Sequence, residues 1–259
     1  MSNEILVGDA VIKLHELEVN SCNLIFADPP YNVGYAYDEY KDNLPPKEYV
    51  AWCKRWIAEC YRCLKGNGSF WLAIGDEYAA QLKLAAEANG FITRSWVIWY
   101  YTFGVNCSEN FSRSHSHLFH FVKDVERCKF NAENPAVRVA SARQVRYNDK
   151  RANPLGRLPD NTWILVPPQE MDTLEQDTWH VPRINGTFKE RRTWHTTQIP
   201  EKILERIILL CSDEGDLVVD PFSGSGTTSI VAKRLHRNSV AFDISQNYVE
   251  RALEELAKA

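Results

Sequence analysis

The 259-residue sequence predicts an α/β fold in which a parallel sheet is covered by helices on both faces. Three observations carry this prediction. Apolar runs of strand length alternate with amphipathic segments of helix length. Two of those runs end in turns that begin with aspartate and proline, Asp28-Pro29-Pro30-Tyr31 and Asp220-Pro221-Phe222-Ser223-Gly224-Ser225-Gly226. At 44% hydrophobic and 25% charged residues, the chain is also long enough to bury a sizeable core.

The elements follow in order. Ile5-Leu6-Val7 reads as a buried strand closed by Gly8-Asp9, and Ala10–Leu17 as a short helix with Val11, Leu14 and Leu17 inward. Leu24–Ala27 is the second strand. Pro45-Pro46 introduces a helix from about Lys47 to Leu64, where prolines in the first turn lose no hydrogen bond, and Lys65-Gly66-Asn67-Gly68 marks its end as a turn. Ser69–Ile74 is a strand, Glu77–Asn89 a helix stopped by Gly90, and Phe91–Tyr101 an aromatic-rich strand. Leu118–Val122 is expected to complete an antiparallel hairpin at the sheet edge. After an irregular stretch, Pro200 opens a helix to about Ser212. Asp216–Val219 is then a strand, Thr227–Leu235 a helix, Ser239–Phe242 a strand, and Asn247 onward the last helix.

From Asp124 to Thr193 the rhythm fails. Prolines at 135, 154, 159, 167, 168 and 182 interrupt it, and the stretch reads as a separate, irregular insert. Within it Arg138, Arg143, Arg146, Lys150, Arg151 and Arg157 face a single acid, Asp149, a local charge of +5. The whole chain carries −4 with a pI near 6.0, so no overall field draws it to polyanions and any nucleic-acid surface must be local.

No basic leader precedes an apolar run, and no run approaches the ~20 residues of a membrane helix, so a cytoplasmic protein without a membrane partner is expected. Seven scattered cysteines fit reduced thiols. Cys60 and Cys63 form a CxxC, but they share helical spacing with Trp52, Trp56, Ile57 and Leu64, which reads as a core stripe rather than zinc. His115, His117 and His120 lack a completing ligand, and no metal is expected. Phe111, Arg113 and Ser114 fall in a loop before the Leu118 strand, either touching phosphate or simply solvated. Trp96, Trp99, Tyr100, Tyr101 and Phe103 fit a buried strand better than a base-stacking surface.

The two aspartate turns carry the chemistry. In the first, paired prolines forbid continuation of the strand, holding Asp28 and Tyr31 on a stiff turn. Asp28 and a proline carbonyl are acceptors and Tyr31 a stacking face, a grip for a planar group bearing N–H bonds; a plain strand-ending turn is the alternative. In the second, strand, glycine turn and helix follow one another where a nucleotide is approached in Rossmann-like folds. No lysine is placed as in a P-loop, and the spacing departs from G-x-G-x-x-G. Gly224 and Gly226 permit close backbone approach beside the negative Asp220, which suits a cationic ligand, S-adenosylmethionine; a strand-turn-helix with an incidental glycine pair is the alternative. Asp243, at the next strand's end, stands where an acid takes up ribose hydroxyls.

With both turns read, the chain resembles, over nearly its whole length, the DNA amino-methyltransferases of the beta arrangement, whose catalytic motif precedes the cofactor motif. Asp28-Pro29-Pro30-Tyr31 matches the family's D-P-P-Y, Asp220 to Gly226 its D-P-F-x-G-x-G, and His195-Thr196-Thr197-Gln198-Ile199-Pro200 resembles its H-x-T-Q-K-P, with Ile199 in place of lysine. The resemblance implies catalytic roles for Asp28, Pro29, Pro30 and Tyr31. It implies cofactor contacts from Asp9, Ala10, Asp220, Pro221, Phe222, Gly224, Ser225, Gly226, Thr227, Asp243, His195 and Gln198, and DNA contacts from Arg113, Arg143, Arg146, Lys150 and Arg151. The implied fold is Rossmann-like and circularly permuted, with a seven-stranded, mostly parallel sheet containing one reversed strand, and the N-terminal strand lying beside that of Asp243. Residues 1–123 and 194–259 would form one methyltransferase domain around a target-recognition insert, 124–193. Asp at position 28 resembles the adenine-N6 enzymes, with cytosine-N4 as the alternative. RNA or protein-glutamine methyltransferases, which usually carry Asn there and place the cofactor loop first, and an inactive nucleic-acid-binding subunit are further alternatives. The implied partners are DNA and, left open, a second copy of the chain and a restriction endonuclease.

Overall fold

Buried strands end where proline or glycine turns begin, and this sets most element boundaries. The computed structural model describes residues 2–105, 109, 111, 113–163, 184 and 189–259; residues 164–183 of the insert, with Pro167, Pro168 and Pro182, lie outside the described residues. The first half contains β1 (Asn3–Val7), α1 (Ala10–Glu16), β2 (Cys22–Ala27), α2 (Pro46–Cys63), β3 (Leu64–Ile74), α3 (Ala79–Ala88), β4 (Ile92–Val105) and β5 (Arg113–Val122). The insert adds α4 (Ala142–Val145) and β6 (Thr162–Trp163). The chain then forms α5 (Glu201–Cys211), β7 (Leu217–Asp220), α6 (Thr227–Arg234), β8 (Asn238–Asp243) and α7 (Gln246–Lys258).

The strands lie in the order β1-β8-β7-β2-β3-β5-β4-β6. Only β5 is reversed, antiparallel to both β3 and β4. The expected pairing of the N-terminal strand with the Asp243 strand is present: Ile5 pairs with Ala241 and Val7 with Asp243 in a parallel register. The expected seven strands become eight, because Thr162 and Trp163 of the insert pair with Ile98 and Trp99. The insert is therefore not separate from the sheet, and it also places Val137 in the core beneath α5.

One face of the sheet is covered by α1, α2 and α3, through Leu14, Trp56, Ile57, Cys60, Phe70 and Leu82, all without exposed surface. The other is covered by α5 and α6 through Ile203, Leu204, Ile207, Ile208 and Val231. Cys60 and Cys63 belong to the first core, so the CxxC is a packing stripe, and the described cysteines are free thiols. Among the described residues no helix is long and apolar enough to cross a membrane.

Two boundaries differ from expectation. Lys65 to Gly68 is not a turn: β3 begins at Leu64, paired with Cys22, and a register shift before the Leu24–Ser69 pair absorbs the extra residues. Gly68 is needed there because a Cβ would lie 2.8 Å from the Asn23 carbonyl. Arg113 is not in a loop but opens β5 opposite Val105.

Candidate active site

Two cavities meet at the C-terminal edge of the sheet, where parallel strands of this topology leave a crevice. The first is bounded by Gly8, Asp9 and Ala10 after β1, by Asp220 to Ser225 after β7, by Asp243 after β8, and by an aromatic wall of Tyr40 and Trp52. The second is bounded by Pro29 and Tyr31, by Gly75 at the end of β3, by Trp99 and Tyr101 of β4, and by Arg113 and His115 of β5. Asp28, Tyr37, Thr197 and Ile199 line both and form the partition between them.

The turn after β7 is shaped by two glycines, of which Gly224 lines the first cavity and Gly226 packs against α7 and β1. Gly224 and Gly226 hold left-handed backbone, φ +46° and +75°. A Cβ on Gly224 would stand 2.7 Å from His195 Nε2, and one on Gly226 2.8 Å from Ala252 Cβ, so neither position has room for a side chain. The Gly224 N–H donates to Asp243 at 2.8 Å and the Ser245 N–H at 2.9 Å, fixing that carboxylate at the rim. Burial pushes its carboxyl above the ordinary range. Asp220 is buried and accepts from the Phe222 N–H at 2.9 Å. Desolvation pushes its carboxyl up to about 6, against the lowering effect of a hydrogen bond from Thr228. A cation in the cavity would hold it ionised. Pro221 and Phe222 continue the lining, with Phe222 edge-on to Trp52 and Trp56. Ser225 and Thr227 line the cavity, their hydroxyls 2.8 Å apart, and Arg192 Nη1 donates to Thr227 at 2.7 Å.

Three polar atoms around this cavity are buried without a hydrogen-bond partner among the described residues: Tyr40 Oη, His195 Nδ1 and Ser223 Oγ. Burial first, then the charge of Arg192, pushes the His195 imidazole down to about 4, so it is neutral. Orphaned polar groups, two acids and side-chain-free glycine backbone fit a ligand that is polar, partly cationic and closely held.

The partition is built on the first aspartate turn. Tyr49 Oη donates to the Pro30 carbonyl at 2.7 Å. Tyr31 packs over Gly75, where a Cβ would come within 3.1 Å of its ring. Its phenol is raised well above the ordinary value by burial, then by the charge of Asp28 and a hydrogen bond to it. The chain beyond is fixed by Asp42, a residue without a motif to mark it. Its buried carboxylate accepts from the N–H groups of Asn32 (2.6 Å), Val33 (3.1 Å) and Tyr35 (2.9 Å). Asn32, at φ +58°, donates to the Leu44 carbonyl and Tyr78 Oη, both at 2.9 Å. An internal anion thus occupies a nest of successive amides and holds the backbone after Tyr31.

Other expected residues are distributed unevenly. Asp9 accepts from the N–H groups of Val11 and Ile12 and caps α1 while lining the first cavity; Ala10 is buried beside it. Gln198 lines the second cavity, not the first, and its amide is engaged by Glu190 O and the Arg192 N–H. Ile199 is buried in the partition, a position where a lysine would carry charge into the core. Trp52, read as part of the core stripe, is half-buried and lines the first cavity. Trp99 and Tyr101 are buried, as expected for a strand, and also form a wall of the second cavity; the side chain of Phe103 lies outside the described residues.

Within the basic stretch, Arg143, Arg146, Lys150 and Arg151 are exposed. Arg151 pairs with Asp149 at 2.9 Å. Arg138 is instead consumed by the Gly156 and Ala132 carbonyls, and Arg157 by Asp160 at 2.7 Å. Arg113 lies at the second cavity between Asp76 and Glu77, at 3.6 and 2.5 Å. The histidines serve packing: His120 bonds Ser69 at 2.9 Å in the core, and His117 accepts from Trp96 Nε1. Among the described residues no group of three or more His, Cys, Asp or Glu could hold a metal.

A permuted α/β sheet with two adjoining cavities at its C-terminal edge, sharing Asp28 in their common wall, is the arrangement of the methyltransferase fold. The chain belongs to the N6/N4-type DNA methylases: the profile of that DNA methylase family matches residues 22–254. It is 35% identical over 257 residues to the Type II methyltransferase M.HpaI of Haemophilus parainfluenzae, covering 99% of this chain and 74% of that protein. Identity to the DNA adenine methyltransferase YhdJ of Escherichia coli (strain K12) is 31%, covering 97% and 82%. Among solved structures, the PvuII cytosine-N4-specific DNA methyltransferase superposes with a TM-score of 0.71 at 18% identity, covering 100% of this chain and 91% of that one. A putative DNA modification methylase of Thermus thermophilus, solved with S-adenosyl-L-methionine, superposes at 0.66 with 19% identity, covering 99% and 93%.

Proposed function

We propose that this methyltransferase moves a methyl group from S-adenosylmethionine to the exocyclic N6 of an adenine turned out of duplex DNA. The observation that carries the reading is the position of Asp28, which lines both cavities and would stand between a methyl donor in the first and an acceptor in the second. When bound, S-adenosylmethionine supplies an electrophilic methyl on a sulfonium. The first cavity suits it: Asp220 and Asp243 answer its positive charge and ribose, and the orphaned Tyr40, His195 and Ser223 groups offer hydrogen bonds.

The second cavity would receive the base, since an amino group inside a stacked duplex cannot reach the partition. An exocyclic amine is a poor nucleophile because its lone pair is delocalised into the ring. With Asp28 and the Pro29 carbonyl accepting its N–H bonds, the nitrogen can pyramidalise toward the methyl, and Tyr31, braced on Gly75, holds the ring. The adenine assignment is supported by Asp at position 28 and by the similarity to a DNA adenine methyltransferase. Cytosine N4 is the second reading, supported by the superposition on a cytosine-N4-specific enzyme. Mass spectrometry of nucleosides from DNA methylated by the protein tests both. N6-methyladenine is expected; N4-methylcytosine alone would reverse the assignment.

Arg143, Arg146, Lys150 and Arg151 are proposed to meet the phosphate backbone, supported by their exposure on the insert. Replacing Arg143, Arg146 and Lys150 together by alanine should reduce the slope of log affinity against log salt by about 2–3. An unaltered slope would place the DNA elsewhere. Neither a homodimer nor an endonuclease partner draws support from the fold.

A further inference from the structure

Between Asn32 and Leu44 the chain leaves the catalytic turn, runs out as a small hairpin and returns. A bridge between Ala36 and Lys41 closes the hairpin, and the amides held by Asp42 fix its root. Its tip is pinned twice. Asp38 Oδ2 accepts from the hydroxyl of Ser245, the cap of α7, at 2.6 Å, and Tyr37 Oη stands 3.4 Å from Thr197 Oγ1. Both partners of the pins, Ser245 and Thr197, line the first cavity, and so do the tip residues Tyr37, Glu39 and Tyr40.

Tyr40 is the anomaly in this wall. Its ring is packed on Trp52, centroids 5.7 Å apart and tilted by 32°, so the side chain is held. Its hydroxyl is buried but has no hydrogen-bond partner among the described residues. Burial, and secondarily the charge of Asp42, raises the phenol above its ordinary value, which leaves it protonated and able to donate. A buried hydroxyl without a partner is costly, and the residue that carries it lines a cavity also lined by His195 and Ser223, whose own orphaned atoms belong to segments far away in sequence.

We propose that Tyr40 is a cofactor-binding residue, its hydroxyl donating a hydrogen bond to an oxygen or nitrogen acceptor of S-adenosylmethionine, and that the Ala36–Lys41 hairpin is the outer wall of the cofactor site. This rests on the methyl-donor reading of the first cavity. Calorimetric titration of S-adenosylmethionine into the full chain and into its Tyr40→Phe variant tests it. Phenylalanine keeps the ring on Trp52 and removes one oxygen. The dissociation constant should rise about 3–15-fold, with the thermal midpoint of the ligand-free protein unchanged or higher. A second variant, Asp38→Ala, should also weaken binding by freeing the tip from Ser245. An unchanged affinity in Tyr40→Phe would overturn the assignment, as would a loss of affinity matched by a lower ligand-free midpoint. Failure of the unsubstituted protein to bind S-adenosylmethionine would instead overturn the methyl-donor reading itself.

Discussion

Replacing Asp28 by alanine should reduce methyl transfer to DNA by at least about 10²–10³-fold while the protein still folds and binds S-adenosylmethionine. The asymmetry follows from where the residue stands. In the proposed reading the cofactor is held by Asp220, Asp243 and three orphaned polar groups around the first cavity, so the loss of the partition carboxylate leaves those contacts in place. Affinity should stay within about tenfold, or 1.4 kcal/mol. The second cavity, by contrast, is lined by Tyr31, Trp99 and Tyr101, and in the proposed reading Asp28, at its boundary with the first, accepts from the incoming amine. Without it the lone pair stays in the ring. Single-turnover assay with saturating cofactor separates the two effects, and full turnover by the variant would remove Asp28 from the chemistry.

Gly226→Val should lower the thermal midpoint by roughly 5–15 °C, corresponding to about 2–4 kcal/mol. The left-handed φ of +75° strains any branched side chain, and the first atom added would already lie 2.8 Å from Ala252 Cβ and 3.3 Å from Ile5 Cδ1. Relief requires α7 to move off β1 and β8. Because α7 also carries Tyr248 to the cofactor cavity, the variant should lose cofactor affinity as well as stability. Scanning calorimetry with and without S-adenosylmethionine checks both; an unshifted midpoint would mean that the turn can yield without disturbing the helix.

Most of the sheet was legible in the sequence because its strands are short apolar runs cut off by glycine or proline. Both aspartate turns were legible for the same reason, as abrupt strand ends that the structure places beside the cavities. What escaped had no period. The Ala36–Lys41 hairpin is a run of tyrosines and acids whose order depends on Asp42 reaching back to Asn32, Val33 and Tyr35, a contact that no local pattern encodes. Trp52 satisfied the helical stripe yet lies at the stripe's margin, where packing gives way to cavity. Lys65–Gly68 looked like a turn because of its two glycines, of which Gly68 serves the register shift beside Asn23. Arg138 and Arg157 counted as surface charge until the insert folded around them.

The pairing of β1 with β8 sets a condition on how the protein is made. β1 is made before the other described strands, yet its strand neighbour among the described residues is formed from residues such as Ser239, 236 positions beyond Asn3. Throughout synthesis this apolar edge waits without a mate, and closing so long a loop is among the slow, exposed steps of folding. Gly8 to Ala10 and Asp220 to Ser245 come together only at that closure. A nascent chain therefore lacks the complete first cavity until its last strands are made.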